Sequence, residues 1–348
     1  MIRIVTIVLV ILTCLFGIFY FLSNKQSNIS KKNASEVIEK ITDPYAAFPL
    51  SIKFQREKKY PGSKFVIEQT LAPGVGYKQY IASYLSDGLK IYGLLSIPTS
   101  QKPASGYPAI IFNHGYIPPE EYRTTERYVA YFANLASEGY VVFKPDYRGH
   151  GSSEGQPEGA YFSPGYLTDV LNAPSSVRQM DEVNKERVGM WGHSLGGFLT
   201  LRAMVIQKDI KVGVIWGGVV GSYQDMADDW WSKRRVGSFT PSSREQQSNR
   251  PGRDSFTKKY GQPNDNDPFW RAISTTTFLD DISGPLQLDH GGSDETVPVV
   301  LSQKLYKKLL EKGKVVEYYE YPGSDHNISQ GYNLAMQRTK EFFAKYLK

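Results

Sequence analysis

Val188-Gly189-Met190-Trp191-Gly192-His193-Ser194-Leu195-Gly196-Gly197-Phe198 is the stretch on which the reading of this chain turns. A strand-like run, Val188 to Trp191, meets a helix-like run, Leu195 to Ile206, across a very short turn with Ser194 at its apex. A serine on so tight a strand-to-helix turn is lifted off the sheet, and the flanking glycines let the backbone take the turn without Cβ clashes. The pattern therefore predicts a nucleophilic hydroxyl above the carboxyl end of a strand. The same spacing recurs at Gly151-Ser152-Ser153-Glu154-Gly155, after another plausible strand, Tyr140 to Asp146. The next residues there, Gln156-Pro157-Glu158-Gly159, have loop composition with no helix to begin. Ser153 reads as a turn residue and Ser194 as the nucleophile.

A serine nucleophile needs a base to take its proton and a carboxylate to hold that base in the right tautomer. The serine turn resembles that of an α/β-hydrolase, and that resemblance implies an acid and then a histidine later in chain order. Of the five histidines, that leaves His290 and His326. His326 stands in Gly323-Ser324-Asp325-His326, the loop after the last strand-like run, Val315 to Glu320, where a base would hang over the sheet. His290 ends an earlier run, Leu286 to His290, so His326 is the expected base. The loop Gly291-Gly292-Ser293-Asp294-Glu295-Thr296-Val297-Pro298 offers Asp294 at its tip as the acid, with Asp289 as runner-up. Negative charge on a substrate oxygen would meet the backbone N–H of Leu195 and that of Tyr116. Tyr116 belongs to Asn113-His114-Gly115-Tyr116, directly after the buried strand Pro108 to Phe112. His114 reads as structural, holding that loop.

Taken together, Asn113 to Tyr116, Asp146 to Ser153, Gly192 to Gly197, Gly291 to Pro298 and Tyr321-Pro322-Gly323 leading to His326 resemble the α/β-hydrolase superfamily. More narrowly, they resemble the catalytic domain of the prolyl oligopeptidase family and its small esterase relatives, across nearly all of residues 80 to 348. The resemblance implies Ser194 as nucleophile, Asp294 as acid, His326 as base, and Tyr116 with Leu195 as oxyanion donors. Two departures stand out. Gln287 and Asp289 interrupt a strand that is usually aliphatic, and residues 24 to about 75 are too few for the propeller that precedes the domain in true oligopeptidases. The expected activity is cleavage of small esters, amides or short peptides through an acyl-enzyme. A dipeptidyl or acylaminoacyl peptidase is the alternative, as is a perhydrolase or acyltransferase on the same triad. A non-catalytic binding domain on this fold is the rival of a different class, and the completeness of the triad distinguishes them.

A chain of 348 residues, 41% hydrophobic, buries one sizeable core. Alternating strand and helix signals predict a mostly parallel eight-stranded sheet with helices on both faces, which the resemblance makes an α/β-hydrolase fold, over a catalytic domain at 76–348. The strands are placed near Lys78 to Leu85, Lys90 to Ile97, Pro108 to Phe112, Tyr140 to Lys144, Arg187 to Trp191, Val212 to Trp216, Pro285 to Leu288 and Val315 to Glu320. An insertion at 222–280 reads as a cap in which Trp230, Trp231 and Trp270 either line a substrate pocket or form the cap's own small core. Its cluster Lys233, Arg234, Arg235, Arg244, Arg250 and Arg253 reads as a solvated basic face. A net charge of +6 without a nucleic-acid motif predicts no nucleic-acid partner. No metal-ligand spacing or phosphate loop is present, so no metal or cofactor is expected, and the single Cys14 allows no internal disulfide.

At the amino terminus, Ile4 to Leu22 is uncharged and nearly all apolar, long enough to span a bilayer. This predicts a transmembrane signal anchor at 1–23, a polar tether and extension at 24–75, and a membrane-bound protein with its catalytic domain outside. A cleaved signal peptide and lipidation at Cys14 are the competing readings. Oligomeric state is not legible.

Overall fold

Each of the eight expected strands belongs to one sheet, and a ninth precedes them. The computed structural model describes residues 44–157, 161–232 and 244–348. It divides into two compact units, Met1–Ala47 and Phe48–Lys348, and the sheet lies in the second. In chain order the strands are β1 (Val66–Gly74), β2 (Tyr77–Ser86), β3 (Leu89–Pro98), β4 (Tyr107–Asn113), β5 (Val141–Pro145), β6 (Val183–His193), β7 (Gly213–Trp216), β8 (Leu286–Gly291) and β9 (Val316–Tyr321). Their spatial order is β1-β2-β3-β5-β4-β6-β7-β8-β9. β1 to β3 run antiparallel, β3 meets β5 antiparallel, and from β5 to β9 every pairing is parallel. Strands β4, β5, β7 and β8 are buried along their whole length, as parallel strands covered on both faces must be.

The helices are α1 (Ile52–Glu57), α2 (Val129–Ser137), α3 (Gly165–Val177), α4 (Leu195–Ile206), α5 (Tyr223–Met226), α6 (Arg244–Tyr260), α7 (Pro268–Ile273), α8 (Val300–Glu311) and α9 (Tyr332–Leu347). Phe132 and Leu135 of α2 and Phe342 and Phe343 of α9 pack with Phe112, Trp191 and Trp216 on one face of the sheet. The alternate strand residues, such as Ile111 and Met190, point the other way and are equally buried, beneath α3 and α4. All twelve residues of α4 are buried, so this helix is wrapped on every side and needs no polar face.

The strand order places the site. From β4 the chain steps to β5 on one side and then crosses to β6 on the other. The loops leaving the adjacent carboxyl ends of β4 and β6 therefore diverge and open a crevice. Those loops carry Asn113 to Tyr116 and Ser194.

β1 lies in the stretch expected as an extension, and the compact unit already starts at Phe48. Seven of the nine β1 residues are exposed, so no hydrophobic alternation marks the strand in sequence. A further correction concerns the membrane. The anchor and exterior placement read from Ile4 to Leu22 are overturned: among the described residues no helix is long and apolar enough to cross a bilayer. The stretch on which that reading rested lies outside the described residues.

Candidate active site

Ser194 has φ +56° and ψ −118°, a conformation costly for any residue with a Cβ, by about 1–3 kcal/mol. Surrounding backbone holds it there. The Ser194 N–H donates to the Trp216 carbonyl at 3.0 Å, while its own carbonyl accepts from Gly197 at 2.9 Å and Val219 at 3.2 Å. A Cβ on Gly196 would run into the Asn113 carbonyl, so only glycine lets α4 start this close to β4. The hydroxyl-bearing turn is thus fixed between the ends of β4, β6 and β7.

Ser194 and His326 line one cavity of about 570 Å³, together with Gly115, Tyr116, Thr296 and others. His326 comes from the loop after β9, and its Nδ1 lies 2.7 Å from Asp294 Oδ2. With Nδ1 facing a carboxylate, the proton sits there and Nε2 keeps its lone pair. Asp294 is buried, which works against its charge. Hydrogen bonds from His290 and His326 outweigh that burial and hold the carboxyl well below the usual carboxylate range. The Thr296 and Val297 N–H groups also donate to Oδ1, at 2.8 and 2.9 Å.

The runner-up residues have other work. His290 Nε2 sits 3.1 Å from Asp294 Oδ2 and 3.0 Å from the Val297 carbonyl, while Nδ1 faces the Ser302 hydroxyl at 2.7 Å. It meets the same carboxylate oxygen of Asp294 that His326 does. Asp289 lies inside β8, where Gln287 Nε2 and the Tyr321 hydroxyl donate to it at 2.6 and 2.7 Å. Ser153 Oγ accepts the Tyr92 N–H at 2.9 Å, fastening the loop after β5 to β3. His114 stacks between Tyr122 and Tyr147, and its Nδ1 donates to the Gly115 carbonyl at 2.7 Å. Burial holds its pKa well below the ordinary histidine range, so it stays neutral.

Tyr128, which no motif marks, and His193, the variable position before Ser194, join these loops. The Gly115 N–H donates to Tyr128 Oη at 2.9 Å, and Tyr128 Oη lies 2.7 Å from His193 Nδ1. His193 Nε2 lies 3.0 Å from the His326 carbonyl, an acceptor, so Nε2 carries the proton and the tyrosine donates to Nδ1. Burial, helped by the neighbouring His326, pushes the His193 pKa down to about 3, which keeps the ring neutral. A Cβ on Gly115 would fall 2.5 Å from Tyr128 Oη and 3.2 Å from Ser194 Cβ, so this loop position needs glycine.

The three tryptophans are not among the residues lining the cavity. Trp230 is buried, with Nε1–H donating to the Thr296 carbonyl at 2.7 Å and its ring edge-on to Tyr161. Trp231 packs on Phe162 and under Arg253, and Trp270 packs on Tyr223 and Phe269. Trp230 and Trp231 thus fasten the insertion to the residues around it, while Trp270 packs within it. Of the basic cluster, Lys233, Arg234 and Arg235 lie outside the described residues, as do the side chains of Arg244 and Arg250. Among the described residues no group of three or more His, Cys, Asp or Glu side chains is placed to hold a metal ion.

The comparisons with known proteins point the same way. The uncharacterized peptidase YtmA of Bacillus subtilis (strain 168) is 28% identical over 261 residues, covering 73% of this chain and 88% of that protein. An acetyl xylan esterase from Paenibacillus sp. R4 shares the fold at TM-score 0.62 and 18% identity, over 88% of this chain and 95% of that one. The acylaminoacyl peptidase of Pyrococcus horikoshii matches at TM-score 0.59 and 21% identity, over 78% of this chain but only 42% of its own. The model of the prolyl oligopeptidase family matches residues 126–348, from the approach to α2 through β9 and α9, and on that match the chain belongs to this family and is a serine hydrolase.

Proposed function

We propose that Ser194, His326 and Asp294 act as nucleophile, base and orienting acid in hydrolysis of short acyl esters, with amides and short peptides as slower substrates. The observation that carries this reading is the 2.7 Å contact of His326 Nδ1 with Asp294 Oδ2, made by a histidine that shares its cavity with the strained Ser194. Ser194 Oγ attacks the carbonyl carbon while its proton passes to His326 Nε2. The developing oxyanion is met by the N–H groups of Leu195 and Tyr116. Collapse breaks the bond to the leaving group, which takes the proton from His326, and a water activated by the same nitrogen then hydrolyses the acyl-serine.

An ester and an amide give the same acyl-enzyme and differ in the leaving group. A phenolate leaves with little help from His326 as acid, whereas an amine needs that proton. Rapid mixing with 4-nitrophenyl acetate is therefore expected to show a burst of nitrophenol equal in amount to the enzyme, and then steady turnover. Aminoacyl 4-nitroanilides are expected to turn over more slowly. Cleavage of proline-containing dipeptide amides with no esterase activity would give the site to a dedicated peptidase instead. No turnover of either class would leave the fold as a binding module.

A further inference from the structure

Arg127 lines the same cavity as Ser194 and His326. The other Asp, Glu, Lys or Arg lining the cavity is Glu121, which already has a partner. Arg127 is exposed and makes no ion pair or hydrogen bond with its side chain among the described residues. Its backbone is constrained: φ is +57° at Arg127 and +53° at Tyr128, two successive left-handed residues that both carry a Cβ. Tyr128, next to it in the chain, is tied to the site, because its Oη is held by the Gly115 N–H and by His193 Nδ1. Groups that fix the loop around Ser194 thus also fix the place from which Arg127 projects. A guanidinium offers a planar fork of donors that matches a carboxylate in a bidentate pair.

We propose that Arg127 is a carboxylate subsite of this cavity, so that the enzyme favours esters and amides bearing a free carboxylate near the scissile carbonyl. The inference rests on the hydrolase reading and adds the substrate class. The carboxylate could sit in the acyl half or in the leaving group, and matched substrates tell these apart. For the acyl half, 4-nitrophenyl hydrogen adipate is compared with its methyl ester; for the leaving half, 4-acetoxybenzoate is compared with methyl 4-acetoxybenzoate. In each pair the ratio of kcat/KM, anionic over neutral, is measured in the wild type, in Arg127→Gln and in Arg127→Lys. Dividing one protein's ratio by another's cancels the intrinsic reactivity of the esters.

For one of the two pairs, Arg127→Gln is expected to lower the ratio about fivefold, the scale of an exposed but bidentate pair. Arg127→Lys keeps part of the preference, and added salt shrinks it in the wild type. A ratio unchanged by Arg127→Gln in both pairs, or an equal loss on the anionic and neutral members, overturns the subsite and leaves Arg127 a solvated rim residue. If neutral esters are hydrolysed and a fluorophosphonate labels Ser194 while the ratio stays flat, only the subsite fails. If there is neither turnover nor labelling, the hydrolase reading falls and the subsite with it.

Discussion

The phenolic oxygen of Tyr128 accepts from the Gly115 N–H and donates to His193 Nδ1, and His193 donates its one N–H, on Nε2, to the His326 carbonyl. One hydroxyl therefore ties the loop that carries Tyr116 to the backbone of His326. Tyr128→Phe would leave a backbone N–H and a buried imidazole nitrogen without partners, a loss of about 1–3 kcal/mol in stability. We expect kcat on 4-nitrophenyl acetate to fall about tenfold with a smaller change in KM, since the bond acts on placement of the reacting groups. Steady-state kinetics and thermal unfolding check this, and wild-type kcat in a folded variant would deny Tyr128 a positioning role. The meeting of His326 with Asp294, beside the cavity that Ser194 lines, was legible because each of the three sits just past a strand, in the chain order of the α/β-hydrolase fold. Tyr128 was not, because its partner His193 lies 65 residues away and no local pattern records that meeting.

Between elements, the loop after β5 is fastened to α3 by an ion pair. Arg148 Nη2 lies 2.8 Å from Asp169 Oδ1 and Nε 3.1 Å from Oδ2, and the Arg148 N–H also donates to Oδ2 at 2.8 Å. Ser86 on β2 adds a hydroxyl donor to Oδ1 at 2.7 Å, so one fully buried carboxylate joins three elements. Removing one partner leaves the other charge buried alone. Asp169→Ala is expected to cost about 3–5 kcal/mol, read as a lowered midpoint in denaturant with little change in slope. A loss below about 1 kcal/mol would mean that Arg148 finds water instead. The same long-range logic explains what could not be read from the insertion. The aromatic content of 222–280 was plain, but whether Trp230 faces a cavity or donates to the Thr296 carbonyl depends on how the insertion folds against the loop of Asp294. β1 was hidden for the opposite reason, since an exposed edge strand carries no buried face to set its pattern.

For the molecule as a whole, the buried parallel strands β4, β5, β7 and β8 were legible because strands covered on both faces must be apolar, and the exceptions mark themselves. Asp289 is one. Burial, against hydrogen bonds from Gln287 and Tyr321, pushes its carboxyl up to about 7. A carboxyl raised from its unfolded value near 4 adds stability below that pH and loses it as pH rises through about 7. Asp294, held low, acts in a separate window: its contribution is present above about 4 and is lost as pH falls toward its folded value. Asp289→Asn should thus be less stable relative to the wild type near pH 5 than near pH 8. Gln287 Oε1, which has no partner, can turn to accept from the new amide. Unfolding midpoints at the two pH values check this, and a constant difference would contradict it. The account as a whole stands on Ser194. Its most direct test is to label the protein with a fluorophosphonate, digest it and locate the adduct by mass spectrometry. Modification is expected at Ser194, with a folded Ser194→Ala protein that takes up no label and hydrolyses no ester. An adduct on Ser153, or a Ser194→Ala protein that still labels and turns over, would contradict it.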